Sequence, residues 1–94
     1  MIKVMIERYI AEDLASHYLQ LANSTLQAAM AAQGFISGES LQDANNPNHR
    51  IIFANFRTLD HWLSWYQSPE RKELLSSLRP LLISDEKITL MEHI

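Results

Sequence analysis

The segment IKVMIERYI at residues 2–10 decides the fold, because it is a strand whose two faces differ. β-Branched residues are frequent in it, and apolar residues occupy one parity: Ile2, Val4, Ile6 and Ile10. The other parity is mixed and carries Lys3, Met5, Glu7 and Tyr9. A period of two is typical of a β-strand. We therefore predict that Ile2 to Ile10 is the first strand of a sheet.

The pattern becomes helical after this strand. From Glu12 to Gln33, at about 100° per residue, the apolar side chains fall within one arc, namely Leu14, Tyr18, Leu21, Ala22, Leu26, Ala29 and Met30. Gly34 follows the last periodic residue, where a helix C-terminus favours a left-handed conformation. We predict one long helix that covers a sheet.

The next segment predicts a hairpin. Phe35 to Gln42 and Arg50 to Phe56 have the composition of strands, and the turn-forming run Asp43 to Asn48 connects them. Near the end of the chain, Lys87 to Ile94 is predicted to be the last strand. The sheet therefore has four strands.

The second helical region is interrupted. Thr58 can cap a helix that carries the aromatic residues, and Ser68-Pro69 restarts the helix, because serine suits the cap and proline the first helical position. Pro80 ends the second segment. The order of elements is that of an α+β, ferredoxin-like βαββαβ fold with an antiparallel sheet. Right-handed crossovers place both helical regions on the same face.

The other face of the sheet needs a cover. A four-stranded sheet that exposed Ile2, Val4 and Ile6 would present a large apolar patch to water. A second copy of the chain is the simplest cover, so we expect a two-fold homodimer through the sheet face.

Composition narrows the functional classes. The 94 residues fit one domain, 1–94, with 47% hydrophobic and 20% charged residues. A net charge of −3 without a basic stripe excludes nucleic acid as a partner, and the lack of cysteine excludes disulfides and thiolate sites. We find neither a signal peptide nor an apolar run long enough for a membrane helix. A soluble, cytoplasmic protein is expected.

The segment FRTLDHWLSWYQSPE at residues 56–70 resembles the central signature of the antibiotic-biosynthesis-monooxygenase superfamily. In that signature a strand leads into a helix that ends in an aromatic residue or histidine, and after two further residues comes Ser-Pro or Thr-Pro. The resemblance implies a dimeric α+β barrel with a pocket in each subunit between helices and sheet. It also implies oxidation of a small aromatic or quinol-like metabolite without metal, haem or flavin, because the deprotonated phenol supplies electrons to dioxygen directly.

Two branches of this superfamily fit less well. The haem-degrading branch is similar in having a tryptophan at Trp65, but it has an asparagine where Glu7 stands and an axial histidine where Leu75 stands. Haem degradation is therefore disfavoured. Quinol-oxidising members tend to have histidines where this chain has Trp65 and Glu70.

Three polar residues are candidates for catalysis. In an apolar pocket the pKa of Glu7 would be raised by desolvation, which suits a general base; alternatively Glu7 pairs with a neighbouring Arg or Lys, or reaches water. His61 is a second acid or base candidate, with a surface position as its alternative. Asn55 can donate to a developing oxyanion, or it faces the partner subunit or the strand edge.

Three aromatic residues are candidates for substrate binding. Trp65, Trp62 and Tyr66 can stack on a flat substrate, although the spacing of the two tryptophans is also typical of a core. No metal site is predicted, because the spacing of the four histidines, His17, His49, His61 and His93, matches no metal-binding motif.

Three functions remain open at this point: a cofactor-independent monooxygenase, a non-catalytic dimeric module that binds a small molecule, and an assembly unit whose pocket is filled by tryptophans. A pocket that holds a ring and exposes Glu7 favours catalysis. A closed, dry interior favours the assembly unit. An open pocket without a titratable group favours the binding module.

Overall fold

Four antiparallel strands form one sheet in the order β2-β3-β1-β4 in the computed structural model, which describes residues 1–94. The strands are β1 (Ile2–Tyr9), β2 (Phe35–Asp43), β3 (Asn46–Phe56) and β4 (Lys87–Glu92). Three helices, α1 (Ala15–Met30), α2 (Leu59–Tyr66) and α3 (Pro69–Leu78), cover one face of the sheet, and a 3₁₀ turn (Arg79–Leu81) follows α3. The predicted ferredoxin-like α+β fold is confirmed.

The hairpin between β2 and β3 is tighter than predicted. Asp43 pairs with Asn46, so β3 begins at Asn46 rather than at Arg50. The Asp43 Oδ1 atom accepts the Asn45 N–H at 2.8 Å, and Asn46 Oδ1 accepts the Asn48 N–H at 3.1 Å. Side chains that bond to their own backbone two residues on favour turns. These residues therefore build a short turn instead of a long connection.

The first helix is shorter than predicted at both ends. Asp13 has a φ of 68°, a left-handed conformation that a right-handed helix cannot contain, and α1 accordingly begins at Ala15. At the other end α1 stops at Met30, and Gly34 has a φ of 84°. The Gly34 carbonyl oxygen accepts the Arg57 N–H at 2.7 Å, which ties this turn to the end of β3.

The two predicted caps of the second helical region are present. Thr58 Oγ1 accepts the His61 N–H at 3.2 Å, and Ser68 Oγ accepts the Arg71 N–H at 3.1 Å. Pro69 occupies the first turn of α3. Each cap satisfies one N–H that the helix itself leaves unpaired, which favours the start of α2 at Leu59 and of α3 at Pro69.

The covered face of the sheet carries the even-numbered residues of β1. Ile2, Val4 and Ile6 are almost fully buried and pack with Ala29 and Trp62 in the main core. The expectation that these three residues would need a second copy of the chain to cover them is wrong, because the helices already cover them. The opposite face, which we call the open face, carries the odd-numbered residues of β1 and their neighbours on β3.

None of the helices combines the length and the apolar character that a membrane crossing requires.

Replacing Gly34 by alanine is expected to destabilise the fold for two separable reasons. The new Cβ would overlap the His61 ring, and the positive φ strains an alanine by about 1–2 kcal/mol. Urea unfolding of Gly34→Ala should therefore show a larger loss than this strain. The same substitution in a His61→Gly background, which removes the His61 Cβ as well as its ring, should cost only the strain. Equal losses in both backgrounds would contradict the predicted overlap.

Candidate functional site

A cavity of about 40 Å³ lies between the helices and the covered face of the sheet. Its walls come from α1, α2, α3 and the three strands β1, β2 and β3, and they include Arg8, Thr25, Trp62, Trp65 and Arg71. One water needs about 10–15 Å³ of such space, so the cavity has room for about three waters. This is the size of a single small ring at most.

The aromatic wall of the cavity belongs to the core as well. Trp62 is 2% exposed and Trp65 is 7% exposed, and both pack in the main core. The Trp62 ring lies edge-on to Phe56, with ring centroids 5.5 Å apart. The two tryptophans therefore belong to the core and also line the cavity.

A cationic wall faces these rings. Arg8 Nε donates to Glu86 Oε2 at 3.0 Å, and Arg71 Nη2 donates to Glu86 Oε1 at 2.7 Å. Arg8 Nη1 donates to Tyr18 Oη at 3.2 Å. The Arg71 guanidinium also lies over the Tyr66 and Trp62 rings, 5.1 Å and 5.7 Å from their centroids. One carboxylate thus bridges two buried arginines beside the cavity.

These arginines were missed in the sequence analysis, although a signal was present. Arg8 continues the buried parity of β1 between Ile6 and Ile10. Arg71 precedes the buried Leu75 and Leu78 by four and seven residues, which places it on the apolar side of α3. In both cases a charged residue in line with buried apolar residues indicated that the arginine would be buried.

A wider groove lies beside α3, next to β4 and the segment that leads into it. Its volume is about 830 Å³, it is open to solvent, and polar residues such as Lys72, Arg79 and Asp85 line much of it. Tyr66 belongs to this groove and not to the cavity, and Arg71 lines both spaces. The groove has ligand size, but ligand sites are lined mostly by apolar residues, and it is the cavity whose lining is mostly apolar.

Glu7 does not face the cavity. Its odd position on β1 places it on the open face, where Glu7 Oε2 lies 3.3 Å from His49 Nε2. His49 Nδ1 lies 3.1 Å from Asp43 Oδ2, and the Tyr9 ring stacks on the imidazole with centroids 4.3 Å apart. Glu7 therefore has an ionisable partner, but the partner is a histidine rather than the Arg or Lys considered from the sequence.

The Asp43–His49–Glu7 cluster is an electrostatic unit. The hydrogen bond to Asp43 raises the pKa of His49 most, and the bond to Glu7 adds to this. The pKa of Asp43 is lowered, first by the Asn45 N–H and then by His49. The two ring nitrogens point to different carboxylates, so these three side chains do not converge on one metal ion, and no other metal-ligating group of three is present.

Asn55 and His61 also lie away from the cavity. Asn55 is on the open face, where its Nδ2 donates to Ser37 Oγ at 2.9 Å and its Oδ1 is buried without a partner. His61 Nδ1 lies 2.8 Å from Thr58 Oγ1 at the start of α2. Of the six candidates, the structure brings only Trp62 and Trp65 together in the cavity.

Comparison with known proteins decides the family. The profile described as antibiotic biosynthesis monooxygenase matches residues 1–75. The chain belongs to this family. The family resemblance implied a pocket between helices and sheet, and the cavity lies there. No curated protein matches the sequence.

Solved structures of similar proteins share the fold at low sequence identity. An antibiotic biosynthesis monooxygenase is 14% identical with a TM-score of 0.90, and the match covers 100% of this chain and 99% of that one. A conserved protein from Methanosarcina mazei Go1 is 17% identical with a TM-score of 0.88, covering 96% and 89%. SnoaB from Streptomyces nogalater, a cofactor-independent oxygenase, is 14% identical with a TM-score of 0.86, covering 99% and 93%.

The open-face cluster predicts how the stability of this family member depends on pH. Because the folded-state pKa of His49 is raised, its contribution is complete below its ordinary value of 6.5 and is lost as pH rises through the folded value. The contribution of Asp43, whose pKa is lowered, is lost only in acid. The melting temperature should therefore fall between about pH 6 and pH 9 in the wild type and less so in His49→Gln.

The control for this measurement is His17→Gln, which changes an exposed histidine on α1. It should keep the wild-type pH profile. A His49→Gln profile that has the same slope as the wild type would contradict the assignment of the pH dependence to His49.

Proposed function

We propose that this protein is a cofactor-independent monooxygenase that acts on a small aromatic or quinol-like metabolite. The observation that carries the proposal is the mostly apolar cavity that Trp62, Trp65 and the buried Arg71 line together. Membership in the antibiotic biosynthesis monooxygenase family supports it. So does the fold shared with SnoaB, a cofactor-independent oxygenase.

The chemistry requires the protein to hold a substrate more than to transform it. A phenol that has lost its proton gives one electron to dioxygen, and the phenoxyl radical and superoxide combine at a ring carbon that carries hydrogen. The peroxide anion that results takes a proton from water and becomes a hydroperoxide. Loss of water from that peroxide leaves a new carbonyl group, so one oxygen atom enters the product and the other leaves as water. Trp62 and Trp65 would hold the ring by stacking, and a ligand that fills the apolar cavity would displace water from around the radical pair.

The size of the cavity limits the substrate. Room for about three waters suits one ring, or the reactive edge of a larger molecule whose remainder lies outside. A polycyclic substrate would have to displace side chains of the wall. We therefore propose a single-ring phenol or quinol as the substrate class.

The predicted roles of Glu7, His61 and Asn55 stay predictions. None of the three lines the cavity within one subunit. For a ligand in the cavity, the proton acceptor would then be solvent rather than Glu7, and we expect Glu7→Gln to retain most of the activity.

The alternative function is a non-catalytic module that binds a small molecule. One observation favours it: no carboxylate or imidazole lines the cavity. Glu86, which bonds to two arginines of the lining, does not itself line the cavity. Such a module would bind the same ligands without consuming dioxygen.

Oxygen uptake tests the proposed activity. Purified, metal-free protein with single-ring quinols and phenols should consume dioxygen without an added cofactor. Trp65→Ala should lower kcat/KM by about two- to tenfold, because the stacking energy of one aromatic wall is lost. Leu59→Ala is the matched control, since Leu59 is exposed on the same helix and does not line the cavity.

The outcomes of this assay separate the functions. No uptake with any of these substrates, together with an increase in melting temperature on adding them, would replace the oxygenase by the binding module. Uptake that disappears in Glu7→Gln would place the reaction at the open face instead of the cavity.

We also propose that two copies pair through the open face. This face carries an apolar group that a second sheet would cover, namely Met5, Leu41, Ile51 and Phe53. Leu41 is 44% exposed, and Asn55 Oδ1 lacks a partner on the same face. Burial of these side chains against a second copy would remove apolar surface from water.

Light scattering combined with size-exclusion chromatography tests the pairing. The wild type should have twice the chain mass of 10.9 kDa. Phe53→Glu should shift the mass towards the monomer, because a charge would be buried in the interface. Leu19→Glu, on the exposed side of α1, should not. A monomeric wild type at micromolar concentration would contradict the proposal.

A further inference from the structure

Beside the cavity, buried positive charges outnumber buried negative charges. Arg8 is 3% exposed and Arg71 is 5% exposed, and Glu86 is the only acidic side chain that bonds to either. Two positive charges therefore share one negative charge. Burying a charge without a counter-charge is costly, so this excess requires an explanation.

The N–H donors of Arg71 that lack an acceptor indicate where a ligand could bind. An arginine has five N–H donors, and Arg71 uses Nη2 for Glu86 while Nε and Nη1 have no acceptor in the protein. The only fully buried side-chain nitrogen or oxygen without a partner is Asn55 Oδ1. The free nitrogens of Arg71 are therefore not sealed in the core. The spaces open to them are the cavity and the groove that Arg71 separates.

The surroundings of Arg71 are those of a binding group held in place. Its guanidinium is fixed by Glu86 on one side and by the rings of Trp62 and Tyr66. A planar guanidinium beside aromatic rings can accept a ring and pair with an oxygen anion on that ring at the same time. Arg8 lines the same cavity and is held by Glu86 and Tyr18.

We propose that the cavity binds its ligand as an anion, a single planar ring that carries a phenolate, enolate or carboxylate oxygen paired with Arg71. Arg8 supports this pairing by adding a second positive charge. This proposal deepens the proposed function and rests on it for the substrate class. In the oxygenase the guanidinium would favour loss of the phenol proton to water, so that the electron-rich form of the substrate is the one that is bound.

Glu86 is the competitor of such a ligand. Its carboxylate occupies donors on both arginines and cancels one of the two charges. Glu86→Gln keeps the size and an acceptor oxygen but removes the negative charge. This variant should therefore bind an anionic ligand more tightly than the wild type, whereas Arg71→Gln should bind it more weakly.

The probe is 4-nitrophenol, because its phenolate and phenol forms absorb at different wavelengths. 4-Nitroanisole has the same ring without an ionisable group and serves as the neutral probe. Titration of the wild type should increase the phenolate band at constant pH. 4-Nitrophenol should bind about ten- to a hundredfold more tightly than 4-nitroanisole, which is the range expected for hydrogen bonds to a charged group.

The variants assign the effect to the cavity. Arg71→Gln should remove the preference for 4-nitrophenol and the increase in phenolate, while Glu86→Gln should enlarge both. Arg57→Gln is the control, because it removes the same charge from an exposed residue that lines neither space. Benzoate should displace the phenolate from the wild type, and benzamide should not.

Two results would overturn the proposal. The first is equal binding of 4-nitrophenol and 4-nitroanisole to the wild type, a comparison that needs no variant and stands even if Arg71→Gln fails to fold. The second is an unchanged preference in a folded Arg71→Gln. Because the readout is binding and not turnover, it is independent of whether dioxygen is consumed.

Discussion

The alternation of side chains along β1 is the constraint on which the rest of the structure depends. β1 is bonded to β3 on one side and to β4 on the other, so its orientation orients the whole sheet. Its even-numbered residues lie under the helices, and its odd-numbered residues lie on the open face. A shift of one residue would exchange the two sets. Each polar side chain of β1 therefore lies either beneath the helices or on the open face.

Two adjacent residues show the consequence. Glu7 and Arg8 are neighbours in the chain, but Glu7 meets His49 on the open face and Arg8 meets Glu86 beneath the helices. The covered side therefore has an excess of positive charge, while the open side has two carboxylates around one imidazole. The cavity is suited to stabilising an anion more than to removing a proton with a side-chain base.

Structures of similar proteins share the fold of this chain but few of its side chains. A TM-score of 0.86 to 0.90 at 14–17% identity means that the backbone arrangement persists while most side chains change. What these chains share is the fold, namely the sheet and the helices above it. The lining of the cavity in this chain, which includes Trp65 and Arg71, is set by its own residues.

The secondary-structure elements could be predicted from the sequence because their signals involve residues a few positions apart. The alternation in residues 2–10, the caps at Thr58 and Ser68 and the glycine after α1 predicted the order of elements, and the FRTLDHWLSWYQSPE segment predicted the family. Contacts between residues that are far apart in the chain could not be predicted from it. Glu86 meets Arg8 across 78 positions and Arg71 across 15, and only the packing of α3 and the segment before β4 against β1 brings them together. The sequence by itself determined the fold, whereas the tertiary structure decided that Arg8 and Arg71, and not Glu7, line the cavity, because strand alternation and helix packing together select which side chains enter it.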